Sequence, residues 1–191
     1  DIDVNAVEVT KLSLLLKCME GETEASIANQ MKLFHERVLP TLDSNIKDGN
    51  SLIDTDFYSN QLDFGEEKKI KPFNWKNNFP VVFKEQGFDC VIGNPPYLGG
   101  REWKEENGNV YDYFMSKYKV AEYQFDIYAL FWEAGIKLLK PNGEIGFITP
   151  NTWLNNQSNK KLRQFILNNT NVSKIVDYSK IKVFDQATVL P

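Results

Sequence analysis

Residues 88–97 have the sequence FDCVIGNPPY, an apolar run that stops at two consecutive prolines. A short apolar run of this kind is typical of a strand inside a sheet, so we predict a buried strand from Phe88 to Gly93. Proline has no backbone N–H, and two prolines cannot continue a central ladder of hydrogen bonds. The sequence therefore predicts that the strand ends there and that Asn94–Tyr97 form a rigid turn at its carboxyl end.

Helices and strands are predicted to alternate on both sides of this stretch. The first helix begins near Asn5, whose spacing from Glu8 resembles a capping box. Residues 54–87 are mixed in character, and their basic run (Lys68, Lys69 and Lys71) is interpreted as a solvated loop. The other predicted elements are a polar helix around 24–37, strands at 44–47, 144–149 and 172–178, a long loop at 98–125, helices at 127–139 and 159–167, and a turn at 141–143.

This order predicts an α/β fold, in which a mostly parallel sheet carries helices on both faces. Ligands of such sheets bind beyond the carboxyl ends of the strands. Three polar segments occupy predicted positions of that kind: Asp1–Asp3, Asn50 and Asn94–Tyr97. Among the aromatic residues, Tyr128, Phe131 and Trp132 are predicted to be core, whereas Tyr111 and Tyr113 are equally compatible with the core and with a ligand-facing loop.

Composition limits the classes of protein that fit. The chain has 191 residues, 42% of them apolar and 25% charged, which is ordinary for one globular domain. The net charge of -4 provides no overall basic field, so a nucleic-acid partner would need a local patch or a further segment. Cys18 and Cys90 form no CxxC pair and are predicted to be small core residues in a reducing compartment. With His35 as the one histidine, we predict no metal site.

The turn Asn94–Tyr97 has the groups needed to activate an aromatic amine. The side-chain oxygen of Asn94 and the carbonyl oxygen of Pro95 are two acceptors, the second held rigidly because proline fixes φ. If both accept from one amine, its lone pair is localised on nitrogen and can attack an activated methyl group without a charged general base. The ring of Tyr97 provides a flat face for a base taken out of a duplex. The pattern therefore favours methylation of a base amine.

The strand and the turn, residues 88–97, closely resemble the catalytic motif of adenine-N6 DNA methyltransferases. The resemblance implies a Rossmann-like fold, S-adenosyl-L-methionine as the methyl donor, and a flipped adenine in double-stranded DNA as the substrate. It also implies catalytic roles for Asn94, Pro95, Pro96 and Tyr97. The segments that match the large bifunctional type II restriction-modification enzymes in particular are Phe73–Pro80, Leu138–Leu154 and Ile175–Val189.

The same resemblance implies a set of residues that bind the methyl donor. Asp1 matches the residue that binds the ribose hydroxyls, and Ile2 matches the one that packs on the adenine of the donor. Asn50 and Ser51 match the third motif, which more often has Asp at the position of Asn50, and Asn94 is counted with this set as well. Asp3 is interpreted as a helix cap, since acidic residues favour helix N-termini.

Two departures from the family pattern concern the ends of the chain. The glycine-rich first motif (G-x-G) is absent, and the sequence begins just after the region where it is expected. Residues 187–191 are predicted to start a strand, and the DNA-recognition domain is expected after them. We therefore expect residues 1–191 to be a partial catalytic domain of a larger cytoplasmic polypeptide, inactive alone, whose sheet edges are free to pair with another copy.

Other functions are compatible with parts of the pattern. The same tetrapeptide is used by methyltransferases that act on a glutamine side-chain amide of proteins, although those enzymes have shorter connections around it. A catalytically inactive DNA-binding scaffold is a second alternative, and an N-P-x-Y peptide signal for adaptor domains is a third. Cytosine-N4 methyltransferases usually have Ser in place of Asn94, so that class is disfavoured.

Overall fold

The computed structural model describes residues 2–21, 23, 41–59, 70–99 and 108–178. The chain divides into two compact units, Asp1–Pro80 and Val81–Pro191. Several predictions fall outside the described residues: the helix around 24–37, His35, the beginning of a basic run at Lys68 and Lys69, the donor-binding residue Asp1, and the strand at 187–191.

In the first unit, helix α1 (Val4–Met19) is capped by Asp3 and not by a capping box at Asn5. The side chain of Asp3 accepts a hydrogen bond from the amide of Asn5 at 2.8 Å, which confirms the prediction that Asp3 is a cap. The predicted capping box of Asn5 and Glu8 is wrong, because the cap is two residues earlier and Asn5 lies inside the first turn of the helix. Glu8 instead forms an ion pair with Lys11 at 2.9 Å.

The predicted strand at 44–47 is also wrong. The amides of Asn45 and Ile46 both donate to the carbonyl of Leu42, at 3.0 and 2.8 Å, and close a local turn. These short-range bonds take the groups that a strand would offer to a neighbour. Farther along, Asn50 forms a single parallel bridge with Pro72. A 3₁₀ helix (Thr55–Tyr58) and the short helix α2 (Trp75–Asn78) complete the regular elements described for this unit.

In the second unit, a two-stranded parallel sheet confirms an α/β fold. Strand β1 spans Phe88–Gly93, as predicted, and pairs with β2 (Leu139–Phe147) in the register Val91 opposite Ile145. Strand β2 begins five residues before the predicted Glu144. The register shifts after Phe88, so the predicted turn at 141–143 becomes a bulge, in which Asn142 has a φ of 65°.

The prediction that β1 is buried is wrong. Its side chains are exposed or half-buried, and Ile92 is 81% exposed. Apolar composition alone does not bury a strand, and the described part of the chain pairs β1 with only one other strand. For the same reason Cys90, on β1, is exposed, and Cys18 on α1 is exposed too, so the prediction that both cysteines are core residues is wrong.

The helices of this unit are α3 (Pro80–Lys84), α4 (Gly108–Lys117), α5 (Ile127–Leu138) and α6 (Lys160–Asn169). Buried core residues lie on α4, α5 and α6. Helix α4 lies within residues 98–125, so the prediction of a loop is wrong for that part. Tyr111 of α4 is buried, and its ring stacks on that of Phe125 at a centroid distance of 5.5 Å. Tyr111 is therefore a core residue, and so is Tyr128 as predicted, while Phe131 and Trp132 are half-buried.

After β2 the chain forms two 3₁₀ turns (Asn151–Leu154 and Gln157–Asn159) and then α6, close to the predicted helix at 159–167. The predicted strand at 172–178 is wrong, since these residues are exposed and have no regular structure. A strand needs a partner for its backbone groups, and the described ranges provide none for this segment. Every helix within those ranges is too short or too polar to span a bilayer.

Candidate active site

The turn Asn94–Tyr97 starts where β1 leaves the sheet. The carbonyl of Gly93 accepts a hydrogen bond from the amide of Ile148 at 3.2 Å, one residue past the end of β2. A Cβ at Gly93 would lie 3.2 Å from the ring of Phe147, so glycine allows that ring to pack against the strand end. The chain then turns with Pro95 buried and Asn94 exposed. This arrangement presents the Asn94 side chain at the carboxyl end of the strand.

A hydrogen bond between the first and last residues of the turn orients the Asn94 amide. The hydroxyl of Tyr97 lies 2.9 Å from Oδ1 of Asn94 and 3.3 Å from the carbonyl oxygen of Ile148. Both atoms are acceptors, so the hydroxyl shares its one hydrogen between them, and the contact with Asn94 is the shorter one. Because a carbonyl oxygen has two lone pairs, Oδ1 of Asn94 keeps one for a further donor.

The environment of Tyr97 keeps this donor protonated. Tyr97 is half-buried, and its partial burial raises the pKa of the phenol above its ordinary value. Burial disfavours the charged phenolate, so the hydroxyl remains a donor throughout the physiological pH range. The contact with Asn94 is therefore not lost by titration near neutral pH.

The residues after the turn attach it to helix α5. The carbonyl of Leu98 accepts from the amide of Ile127 at 2.9 Å, and Gly99 forms an antiparallel bridge with Asp126. Helix α5 lies close to β2, since a Cβ at Gly135 would be 2.7 Å from Cδ1 of Ile145. A peptide signal for an adaptor domain needs a free extended segment, whereas this one is held at both ends.

Of the predicted donor-binding residues in the first unit, the structure describes three, and two of these lie in the same turn. Asn50 and Ser51 share one turn: Oδ1 of Asn50 accepts from the amide of Leu52 at 3.1 Å. Ile2 is exposed, and its carbonyl accepts from Nζ of Lys71 at 2.8 Å, so this lysine is not simply solvated as predicted. Asp1, the predicted ribose-binding residue, lies outside the described residues.

Three aromatic or polar residues that support the Asn50 turn had no assigned role in the sequence. The indole N–H of Trp75 donates to the carbonyl of Ser51 at 3.1 Å, and Nδ2 of Asn74 donates to Asp54 at 2.9 Å. A Cβ at Gly49, where φ is 144°, would lie 2.6 Å from the ring of Phe73. All three lie in or at the start of the segment Phe73–Pro80, which matches the restriction-modification enzymes in sequence. That match did not predict their contacts with the Asn50 turn.

Comparison with known proteins identifies the family. A family model of the Eco57I restriction-modification methylase matches residues 1–184. The type II restriction enzyme and methyltransferase RM.Eco57I of Escherichia coli is 36% identical over 188 residues, 98% of this chain and 17% of that protein. The type II methyltransferase M.BstVI of Geobacillus stearothermophilus is 32% identical over 118 residues, 61% of this chain and 20% of that protein.

A further relative carries the word adenine in its name. The adenine-specific methyltransferase BrxX of Escherichia coli O9:H4 (strain HS) is 32% identical over 84 residues, 44% of this chain and 7% of that protein. The chain thus spans a fifth or less of the length of these three relatives. Since the family model matches nearly every residue, the chain belongs to the Eco57I restriction-modification methylase family.

Proposed function

We propose that this chain is part of the catalytic domain of a methyltransferase that transfers a methyl group from S-adenosyl-L-methionine to the N6 amine of adenine in double-stranded DNA, within a restriction-modification system. The observation that carries the proposal is the Asn94 carboxamide, exposed at the carboxyl end of β1 and oriented by the hydroxyl of Tyr97 at 2.9 Å. Two relatives support parts of the proposal by name: RM.Eco57I is a type II restriction enzyme and methyltransferase, and BrxX is an adenine-specific methyltransferase.

In the proposed mechanism, the turn polarises the target amine. The free lone pair of Asn94 Oδ1 accepts one amine hydrogen and the carbonyl oxygen of Pro95 accepts the other, while Pro96 restricts the backbone between them and Tyr97. Charge that develops on the amine nitrogen is then met by oriented acceptors, which need no reorganisation during the reaction. The ring of Tyr97 stacks on the flipped base. The donor, when bound, supplies a methyl group already activated by its positive sulfur.

We propose donor-binding roles for Asp1, Ile2, Asn50 and Ser51 of the first unit and for Asn94 of the second, as the resemblance implies. The turn at Asn50 fits such a ligand, since a buried carboxamide with an unused N–H₂ group is suited to recognise a polar nucleobase edge. We propose that the fold is Rossmann-like and that residues 1–191 form one part of a catalytic domain. A net charge of -4 favours phosphate contacts by other parts of the polypeptide. We propose the cytoplasm as its location, because a restriction-modification enzyme acts there on DNA.

The proposal is tested on the intact protein. It is incubated with double-stranded DNA and methyl-labelled S-adenosyl-L-methionine, the DNA is digested to nucleosides, and the labelled nucleoside is identified by mass spectrometry. We expect labelled N6-methyldeoxyadenosine. Label on a glutamine side chain of a protein substrate would replace the proposal with a protein methyltransferase, and donor binding without any transfer would indicate an inactive scaffold.

Replacement of Tyr97 by phenylalanine separates the two roles of that residue. The ring remains for stacking, but the hydrogen bond that orients Asn94 is lost. We expect the activation free energy to rise by about 1 kcal/mol, which is about a fivefold to tenfold fall in kcat. KM for DNA should change little. Single-turnover methylation measures the effect, and Tyr97→Ala, which also removes the ring, should be clearly more damaging. Equal losses in the two variants would contradict a role for the hydroxyl bond distinct from stacking.

A further inference from the structure

The residues at the N-terminal ends of α5 and α6 are good helix caps that do not cap here. Asp126 precedes α5 and Asn159 precedes α6, and both residue types are preferred at that position because their short side chains accept from the first turn of a helix. Neither side chain makes such a capping hydrogen bond. Each helix therefore forgoes a stabilising contact, and both polar side chains are available for another role.

Both side chains act on the hydroxyl of Tyr128 instead. Tyr128 is 1% exposed and Asn159 is 3% exposed. The side chains that act on the phenol are those of Asp126, Thr152 and Asn159, and with Tyr128 they form a set that we call the N-cap cluster. Burial, and then the negative charge of Asp126, raises the pKa of the phenol well above its ordinary value. The hydroxyl therefore stays protonated at physiological pH.

Two buried atoms of the N-cap cluster lack a direct hydrogen bond to any described residue. They are Oη of Tyr128 and Nδ2 of Asn159. Buried polar atoms in folded proteins are nearly always satisfied, and an internal water with several polar partners satisfies those that do not reach one another. The cluster offers such a water an acceptor on Asp126, a donor on Asn159 and two hydroxyl groups that do both. Its composition therefore suits one shared water molecule.

The N-cap cluster connects the two segments that flank the Asn94–Tyr97 turn. On one side, Gly99 forms an antiparallel bridge with Asp126, and a Cβ at Gly99 would lie 4.0 Å from the Asp126 carboxylate. On the other side, the carbonyl of Ile148 accepts from the tyrosine hydroxyl of the turn at 3.3 Å, and Thr152 follows in the next 3₁₀ turn of the chain. The supports on both sides of the turn thus meet in one buried polar cluster.

We propose that Tyr128 is a positioning residue for the Asn94–Tyr97 turn, and that its hydroxyl acts through one internal water held by the N-cap cluster. This inference rests on the proposed function, in which Asn94 polarises the target amine. Tyr128 acts through other residues: the water-bridged cluster fixes the spacing between the two flanks of the turn, and this spacing sets the direction of the Asn94 carboxamide. Acceptors that are oriented before the reaction are what the proposed chemistry requires.

The first experiment compares two tyrosine-to-phenylalanine variants of the intact protein. Tyr128→Phe removes only the hydroxyl, and we expect kcat in single-turnover methylation to fall about threefold to tenfold while KM for DNA changes little. Tyr111→Phe is the matched control, because Tyr111 is also buried and its hydroxyl bonds outside the cluster, to the carbonyl of Tyr123 at 3.0 Å. The control should lower the unfolding midpoint at least as much but keep native kcat. Equal losses of kcat in the two variants, or none in Tyr128→Phe, would overturn the proposal.

A double-mutant cycle tests the shared water. Tyr128→Phe and Asn159→Ala each remove one of its partners, so the double variant should methylate no more slowly than the slower single variant. Independent, multiplying losses of kcat would show that the two side chains do not act through one water and would overturn that part of the proposal.

Hydrogen exchange provides a measurement that does not depend on methylation. The amides of Ile127 and Ile148 donate to the carbonyls of Leu98 and Gly93, on the two sides of the turn. Both amides should exchange faster in Tyr128→Phe and at the native rate in the control variant. Unchanged exchange at both would overturn the positioning role. If the native protein forms no N6-methyldeoxyadenosine, the proposed function fails, whereas these exchange rates still decide whether Tyr128 holds the flanks of the turn.

Discussion

Replacement of Asn94 by alanine is expected to lower kcat for adenine methylation by about 100-fold to 1000-fold, as the loss of an oriented polar group at a reaction centre does in other enzymes. The affinity for DNA should change little, because the Asn94 side chain acts on the target amine in the transition state and not on phosphate. Formation of N6-methyldeoxyadenosine in single-turnover reactions and a DNA-binding isotherm with the intact protein measure the two quantities separately.

The structure predicts that this loss is chemical and not a collapse of the turn. After the substitution, the hydroxyl of Tyr97 still has the carbonyl of Ile148 as an acceptor, at 3.3 Å. Pro95 remains buried, and the bond between Leu98 and Ile127 is unaffected. The control variant Asn168→Ala removes an exposed carboxamide from α6 and should keep native activity. An Asn94→Ala protein that retains a tenth or more of native kcat would refute the role of this side chain.

Replacement of Glu133 by alanine should cause the largest loss of stability among the polar residues of the second unit. Glu133 is fully buried in α5, where Oε2 accepts from the amide of Val120 at 2.9 Å and Oε1 lies 2.5 Å from Nζ of Lys137. Alanine leaves the buried amide of Val120 without an acceptor and opens a cavity, together worth about 2–4 kcal/mol. The measurements are hydrogen exchange of the segment around Val120 and the unfolding midpoint of the intact protein.

Glu133→Gln is the matched variant for this prediction. Its amide oxygen can still accept from the amide of Val120, so we expect a cost of only about 1 kcal/mol. Lys137→Ala should cost less again, because Lys137 is half exposed and its ion pair is screened by solvent. If Glu133→Ala and Glu133→Gln accelerate exchange at Val120 equally, the amide bond to Glu133 is not what holds this segment.

Local chemistry in the sequence accounts for much of the fold. The strand Phe88–Gly93 ends at Gly93 because prolines follow, and α5 appears where apolar residues recur at helical spacing. Asp3 caps α1 as its short acidic side chain favours. The site at Asn94–Tyr97 was visible for the same reason, since the identity and order of four adjacent residues define its chemistry. Features that depend on neighbours in the sequence are therefore readable from it.

Features that depend on residues distant in the sequence were not predictable from it. Exposure of Ile92 and of the segment 172–178 is set by which strands pair, and an apolar pattern does not specify a partner. Burial of Tyr111 follows from its contact with Phe125, which lies beyond the end of α4.

The same physical limit applies to the candidate site. The sequence names Asn94, Tyr97 and Asn50, but the direction of a carboxamide depends on which donor lies opposite its oxygen. Folding places the hydroxyl of Tyr97 against Asn94, and the amide of Leu52 against Asn50 in a turn supported by Trp75. Residue identity thus supplies the chemical groups, whereas three-dimensional contacts decide which lone pairs and hydrogens remain available to a ligand.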